Sequence, residues 1–228
     1  LYRLRDIQKI EGIRHISEIE LNGGHPLTFY TEVTSQHLPS KKLPLFLWDD
    51  LFFISNSMVH FTSFLLLLRP FINDASKEAG TYHQNWYDAR YLSCASILHH
   101  EVYNFWDRIG DLLYCFFDTG LSDDRVYMSR ILNKFPAKHR QSDYFRMIND
   151  IYFRDVRPII FDRNEDAHSK SIATSRFFGV VLSKGNEQKE QMKNKLELPD
   201  LFKKQIDLAY EGFELALRLI EERGQKSN

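Results

Sequence analysis

From about Asn85 to Phe117 the chain keeps one helical period without a break. Tyr91, Cys94, Leu98, Val102, Phe105, Ile109, Leu112 and Phe116 follow one another at steps of three or four. Asn104, Asp107 and Asp111 line a separate polar stripe on the same helix, which reads as a solvated or interhelical face. A helix of this length with one apolar face must lie against other helices, so the chain is expected to be mainly all-α, an antiparallel helical bundle.

The other segments agree with that frame, with one exception. A last helix begins near Pro199, a favourable first-turn residue, and ends before Gly224. Its Phe202, Ile206, Ala209, Phe213, Ala216 and Ile220 step 4-3-4-3-4, with Leu201, Leu208, Leu215 and Leu219 widening the face. Shorter helices are expected near 123–134 and 142–155, each opened by a capping Ser or Asp. Lys184 to Lys195 reads as a charged connector. The exception is the N-terminus. Ile16 to Leu21 alternates, Asn22-Gly23-Gly24 is turn chemistry, and Leu27 to Val33 is rich in β-branched and aromatic residues, which predicts a small β-hairpin. Pro39 to Pro44 then punctuates the chain. The expected organisation is a hairpin or extension over 1–44, a helical domain over 45–223 and a tail over 224–228.

Composition limits the alternatives. Of 228 residues, 43% are hydrophobic and 14% aromatic, enough for a substantial core. A formal net charge of −1 excludes a strongly basic nucleic-acid coat, so an RNA site has to be a local patch. From Arg125 to Arg176, eleven Lys or Arg stand against six Asp or Glu, a local excess of five that suits phosphate contacts or, alternatively, an ordinary solvated face. Cys94 and Cys115 on one continuous helix are about 31 Å apart, beyond the reach of a disulfide. Free thiols, with no secretory leader or lipidation signal in these residues, lead to the expectation of a reducing cytoplasm. The chain starts at Leu1 without a methionine, which leaves room for a preceding piece. Leu51 to Leu68 has the length of a membrane span, but Ser55, Asn56, Ser57, His60, Thr62 and Ser63 interrupt it. It reads as a buried core helix with Asn56, His60 and Ser63 as a hydrogen-bonding stripe, and no membrane partner is expected.

Most catalytic patterns are absent. There is no Gly-rich phosphate loop, no H-E-x-x-H, no C-x-x-C and no G-x-S-x-G, so no cofactor or metal is implied. His99 and His100 point about 100° apart on a helix, poor geometry for one metal, and read as two partly exposed helix histidines. The segment that stands out runs from Arg157 to His168 and ends Arg163-Asn164-Glu165-Asp166-Ala167-His168. R-N-x-x-x-H after one helix and opening another resembles the R-x(4–6)-H signature of the HEPN superfamily, in which the residue after Arg is commonly polar. The helix around Tyr103 to Leu113 also resembles the long central helix of some prokaryotic HEPN proteins. The resemblance extends over residues 45 to 223. Lys170 departs from a subgroup that carries Tyr at that place, so regulation through a tyrosine is not implied.

What the resemblance implies is a metal-independent endoribonuclease leaving 2′,3′-cyclic phosphates, with a role in prokaryotic defence, toxin–antitoxin or stress biology. Its partners would be RNA, a second copy of the chain, and an antitoxin or other regulatory protein. The residue types suit that chemistry. His168, with an ordinary pKa of about 6.5, can take a 2′-hydroxyl proton. Arg163 offers a permanently charged fork to the phosphate, and Asn164 can orient either. Arg163 and His168, five residues apart, diverge by about 140° on an ideal helix, an awkward single site that HEPN proteins resolve by facing two motifs across a dimer. Asp162, Glu165 and Asp166 surround Arg163 and keep the alternative open, in which the arginine is a structural ion-pair partner and the chain an inactive HEPN-like module binding nucleotide or protein. A plain helical scaffold is the third reading.

Overall fold

A computed structural model describes residues 2–72, 85–159 and 182–225 of the chain. The described residues form eight α-helices: α1 (Tyr2–Glu11), α2 (Pro26–Gln36), α3 (Leu47–Leu68), α4 (Trp86–Phe116), α5 (Met128–Asn133), α6 (Asp143–Ile151), α7 (Gly185–Leu196) and α8 (Leu198–Gln225). No strand occurs among them.

The long helix starts at Trp86, next to the expected Asn85, and Asn85 is its cap. The Asn85 side chain accepts from the Tyr87 and Asp88 amides at 2.8 and 2.9 Å, and Asp88 accepts from the Asn85 amide at 2.9 Å, a complete capping box. Its apolar face is buried except at Cys94, which is half-buried, and its last turn is buried all round from Leu112 to Phe117. That full enclosure has a local cause. The Ser40 and Lys41 amides donate to the Cys115 carbonyl at 2.7 and 3.1 Å, so the segment between α2 and α3 is laid over the helix end. On the other side α5 docks at Gly110, where an added Cβ would stand 3.2 Å from the Met128 Cα.

Helices α3, α4 and α8 form the body, with α6 against α8 and α1 against α3. Of the predicted face of α8, Phe202, Ile206, Ala209, Phe213, Leu215, Ala216, Leu219 and Ile220 are buried, and Leu201 and Leu208 are half-buried. α3 and α4 run antiparallel, with Arg108 beside Asp50 at 3.4 Å and the Asn85 side chain donating to the Phe71 carbonyl at 2.9 Å at the other end. The stretch Leu47–Phe71 is long and apolar enough to cross a membrane by length and composition, and 44% of its most apolar window is buried inside the molecule. The buried polar residues of α3 are Ser55, Thr62 and Ser63, whereas Asn56 is exposed and His60 half-buried. Of the expected stripe only Ser63 is buried, and the buried Ser55 and Thr62 lie about 100° round the helix from Asn56 and Ser63.

The hairpin expected over Ile16 to Val33 is not formed. Asn22 and Gly23 do make a tight turn, at φ 54° and 73°, but it closes only a single Leu21–Gly24 bridge. Leu27 to Val33 lies instead in α2, started by Pro26 and by the His25 side chain accepting from the Leu27 amide at 3.1 Å. Pro26, Phe29, Tyr30 and Val33 are buried at helical spacing, so an amphipathic face overrides β-propensity. Residues 13–18 are pinned to the body by buried hydrogen bonds. The Ile16 amide donates to Ser55 Oγ at 3.0 Å, Ser55 meets Tyr210 Oη at 2.6 Å, and Tyr210 donates to the Arg14 carbonyl at 3.1 Å.

Two further expectations need correction. Lys184 to Lys195 is largely helix α7, anchored by buried Met192 and Lys195. Lys195 forms a buried ion pair with Asp88, and the Tyr91 hydroxyl donates to the Lys195 carbonyl at 2.7 Å. The short helices also lack the expected local caps. Ser142 bonds Glu222, and α5 takes its cap from Asp107, whose carboxylate accepts from the Met128 amide at 3.2 Å.

Candidate functional site

Arg163, Asn164 and His168 lie outside the described residues. What is described is the helix that leads to them. α6 does not stop at Ile151 but widens into a π-helical turn over Tyr152–Val156 and resumes helical geometry to residue 159. Such a bulge turns the side chains beyond it through an extra step and is often found near functional sites. Its neighbours come from α8 and α4. Gln205, buried on α8, donates through Nε2 to the Asp155 carbonyl at 3.2 Å inside the bulge. Lys204 and Arg154 hold the Asp155 carboxylate at 2.8 and 2.9 Å, and the Lys204 hydrogen bond foremost holds it below the usual carboxylate range. Tyr152 packs edge-on to Trp106 at 5.7 Å, and burial pushes its hydroxyl up to about 12.

The last described residue of this run, Ile159, is held by a histidine. His99 Nδ1 lies 3.3 Å from the Ile159 carbonyl, so it carries the proton in that bond. The ring stands edge-on to Phe202 at 5.0 Å. Its residue is fully buried, while His100 is exposed, so the two histidines are not the matched, partly exposed pair that the sequence suggested. The signal was present. Residue 99 is seven beyond Leu92 and seven before Trp106, both buried, on a second register beside the one traced from Tyr91.

Among the described residues the basic excess is largely engaged. Arg146 and Arg154 pair with Asp143 and Asp155, and Arg140 donates to the Phe135 and Asn133 carbonyls. Arg130 lies over Tyr127, and Arg157 over Phe153, each guanidinium 5.3 Å from its ring. Arg157 stands six residues before Arg163.

A second polar region was not foreseen. A cavity of about 480 Å³ opens between the 41–44 segment and the end of α4, lined by Lys41, Lys42, Asp111, Tyr114, Cys115 and Asp123 among others. Lys41 Nζ sits 3.4 Å over the Tyr114 ring and donates to the Leu121 carbonyl at 3.2 Å, and Tyr114 donates to Asp123 at 2.6 Å. Burial pushes the Asp111 carboxyl up to about 6, with Arg108 at 3.1 Å opposing the shift and Asp107 and Asp50 adding to it. Burial also raises Cys115 to about 11, which leaves the thiol protonated and unreactive. A larger cavity of about 810 Å³ lies between the end of α3 and α7. Arg69–Asp200 at 2.8 Å and Lys193–Glu197 at 3.7 Å neutralise much of its rim. Among the described residues no three His, Cys, Asp or Glu side chains converge as metal ligands.

Compared with known proteins, the chain matches no family model, no curated protein and no solved structure.

Proposed function

We propose that this chain is a metal-independent endoribonuclease of HEPN type, acting on RNA as a homodimer in the cytoplasm. The observation that carries the reading is the Arg163-Asn164-x-x-x-His168 motif, four residues after the last described helical residue, Ile159, in a chain whose described residues are otherwise helix and turn. His168 takes the 2′-hydroxyl proton, and that oxygen attacks the adjacent phosphorus. The 5′-oxygen leaves with a proton, giving a 2′,3′-cyclic phosphate and a 5′-hydroxyl end. Arg163 neutralises charge on the phosphate and Asn164 orients base or phosphate. Two features of the approach support this. The helix is bulged at Tyr152–Val156, and its last described residue, Ile159, is held by a buried imidazole. Prokaryotic defence, toxin–antitoxin or stress biology is the setting, with an antitoxin or other regulatory protein as the further partner.

The carboxylates flanking Arg163 favour one other reading, an inactive HEPN-like module binding nucleotide or a protein. Cleavage assays decide between them. Wild-type protein should cut RNA in excess EDTA, spare DNA and leave cyclic phosphate ends, and His168→Ala and Arg163→Ala should each lower the rate by about 10²–10⁴-fold. EDTA-sensitive activity that also cuts DNA sinks the mechanism, and inertness toward every RNA class moves the protein to the binding module.

A further inference from the structure

The cavity between the 41–44 segment and the end of α4 has hydrogen-bonded walls. The Ser40 and Lys41 amides hold the Cys115 carbonyl, and the Cys115 thiol reaches back to the Lys42 carbonyl at 3.5 Å. Lys41 and Tyr114 tie down the loop that follows α4, through the Leu121 carbonyl and the Asp123 carboxylate. A site braced in this way loses little freedom when a ligand enters. Its volume of about 480 Å³ lies within the roughly 300–1,000 Å³ usual for small-molecule sites.

Both signs of charge line the cavity, Lys41 and Lys42 on one segment and Asp111 and Asp123 on the others. Lys41 is engaged with Leu121 and the Tyr114 ring, and Tyr114 takes Oδ1 of Asp123. The Asp111 carboxyl and the exposed Lys42 ammonium are better placed to meet a ligand. The Asp111 side chain is 20% exposed, and Arg108 divides a single Nη1 between Asp111 at 3.1 Å and Asp50 at 3.4 Å.

We propose that this cavity binds a free α-amino acid with an apolar side chain, its ammonium at Asp111 and its carboxylate at Lys42. Charge selects the class. The two lysines repel a bare metal cation, and the two aspartates repel a phosphate or other multiply charged anion. A zwitterion presents one pole to each wall. Pro44 and Val126 offer the side chain apolar surface. The proposal stands apart from the ribonuclease reading, because Asp111 lies twelve residues beyond His99, about 18 Å along α4.

The site should also report on pH. Asp111 faces Arg108 and Asp107 on its own helix, Asp50 on α3, Lys41 and Lys42 on the 41–44 segment and Asp123 on the following loop. Burial holds its carboxyl near 6. An ammonium pairs with the ionised form, so at lower pH it has to displace a proton.

Calorimetry of the full chain with L-valine, L-leucine and L-phenylalanine tests the proposal. At least one should bind near pH 7 with a dissociation constant below about 1 mM. Its affinity should rise about tenfold between about pH 5 and pH 7 and then level off, as linkage to a group titrating near 6 requires. The N-acetyl derivative of the tightest binder lacks the ammonium, and its amide lacks the carboxylate. Each should bind at least about tenfold more weakly, having lost a hydrogen bond between charged groups. Asp111→Asn should cost a similar factor and flatten the pH dependence, whereas Lys42→Gln should weaken binding and keep it. Both chains should fold, since Lys42 is exposed and Asp111→Asn discharges a carboxyl that burial disfavours. No binding of any of the three at about 10 mM overturns the proposal. So does binding that Asp111→Asn leaves unchanged. An amide that binds as well as its parent gives the cavity to a simple amine, and an equally tight N-acetyl derivative gives it to an anion; either result overturns it too.

Discussion

Gly212 on α8 lies flat against the Trp106 indole of α4, so close that an added Cβ would stand 2.4 Å from Cη2 and 2.8 Å from Cζ3. The indole is fully buried, and its Nε1 has no hydrogen-bond partner among the described residues, so packing alone fixes the ring. The two longest helices cross where one has no side chain and the other has its largest. Helical propensity favours Ala over Gly by about 1 kcal/mol, but overpacking a dense core costs about 1–3 kcal/mol. The second effect should win here, because the ring is hemmed in by Tyr152. Gly212→Ala should lower the melting temperature by several degrees, and adding Trp106→Phe should recover part of the loss. A single variant as stable as wild type would show that α4 and α8 can separate cheaply.

Tyr210 offers a second test of how the N-terminal segment is attached. Its hydroxyl joins Ser55 on α3 to the Arg14 carbonyl, and Ser55 in turn holds the Ile16 amide. Tyr210→Phe removes the bridge and leaves buried polar atoms short of a partner, at a cost of about 1–3 kcal/mol. Hydrogen exchange should locate the damage, with faster exchange at Ile16 and little change in the middle of α4. Uniform acceleration across the chain would argue that the bridge stabilises the whole core and not the attachment.

How much of this was legible in the sequence depends on how local each cause is. α4 and α8 could be traced residue by residue because a long apolar period and a cap such as Asn85 lie in neighbouring residues. α2 misled because Leu27 to Val33 has strand-like composition, while the decisive facts are the His25-Pro26 start and the i, i+3, i+4 burial of Pro26, Phe29, Tyr30 and Val33. The cap of α5 comes from Asp107, and the π turn of α6 is met by Gln205, fifty residues further on, so no local pattern announces either. Asp111 becomes unusual only when the 41–44 segment is laid over the helix end. Of the candidate site, the sequence contains the motif, but Arg163, Asn164 and His168 lie outside the described residues, and what the structure adds is the anchored approach.

Asp111 makes stability depend on pH. Its carboxyl titrates near 6 in the folded chain against about 3.9 in an unfolded one. A raised carboxyl pKa means that the folded state holds the proton more tightly, so this group contributes stability below about pH 4, and the contribution is lost as pH rises through 6. Asp111→Asn removes the penalty of the buried charge above that window, and Arg108 keeps Asp50 as a partner at 3.4 Å. The variant should melt higher than wild type at pH 8, by roughly 2–4 °C if the gain is about 1 kcal/mol, and the two should converge near pH 4. A variant less stable at pH 8 would mean that the Arg108–Asp111 attraction outweighs desolvation.

His99 links the described structure to the proposed chemistry. It is fully buried, donates from Nδ1 to the Ile159 carbonyl and braces its ring on Phe202, and Ile159 stands four residues before Arg163. If that bond sets where the motif segment begins, His99→Phe should leave the helical frame in place, since a ring of similar size still meets Phe202, while the carbonyl loses its donor. A displacement of about 1 Å in a catalytic group can lower a rate by about 10²-fold, so RNA cleavage should fall by that order with substrate affinity less affected. The pH dependence of the residual activity should keep its shape, because in the proposed reaction the proton is moved by His168 and not by His99. A loss of activity with a shifted pH profile would instead put His99 in the proton transfer itself. Cleavage at the wild-type rate by a folded His99→Phe chain would show that this anchor has no part in the site.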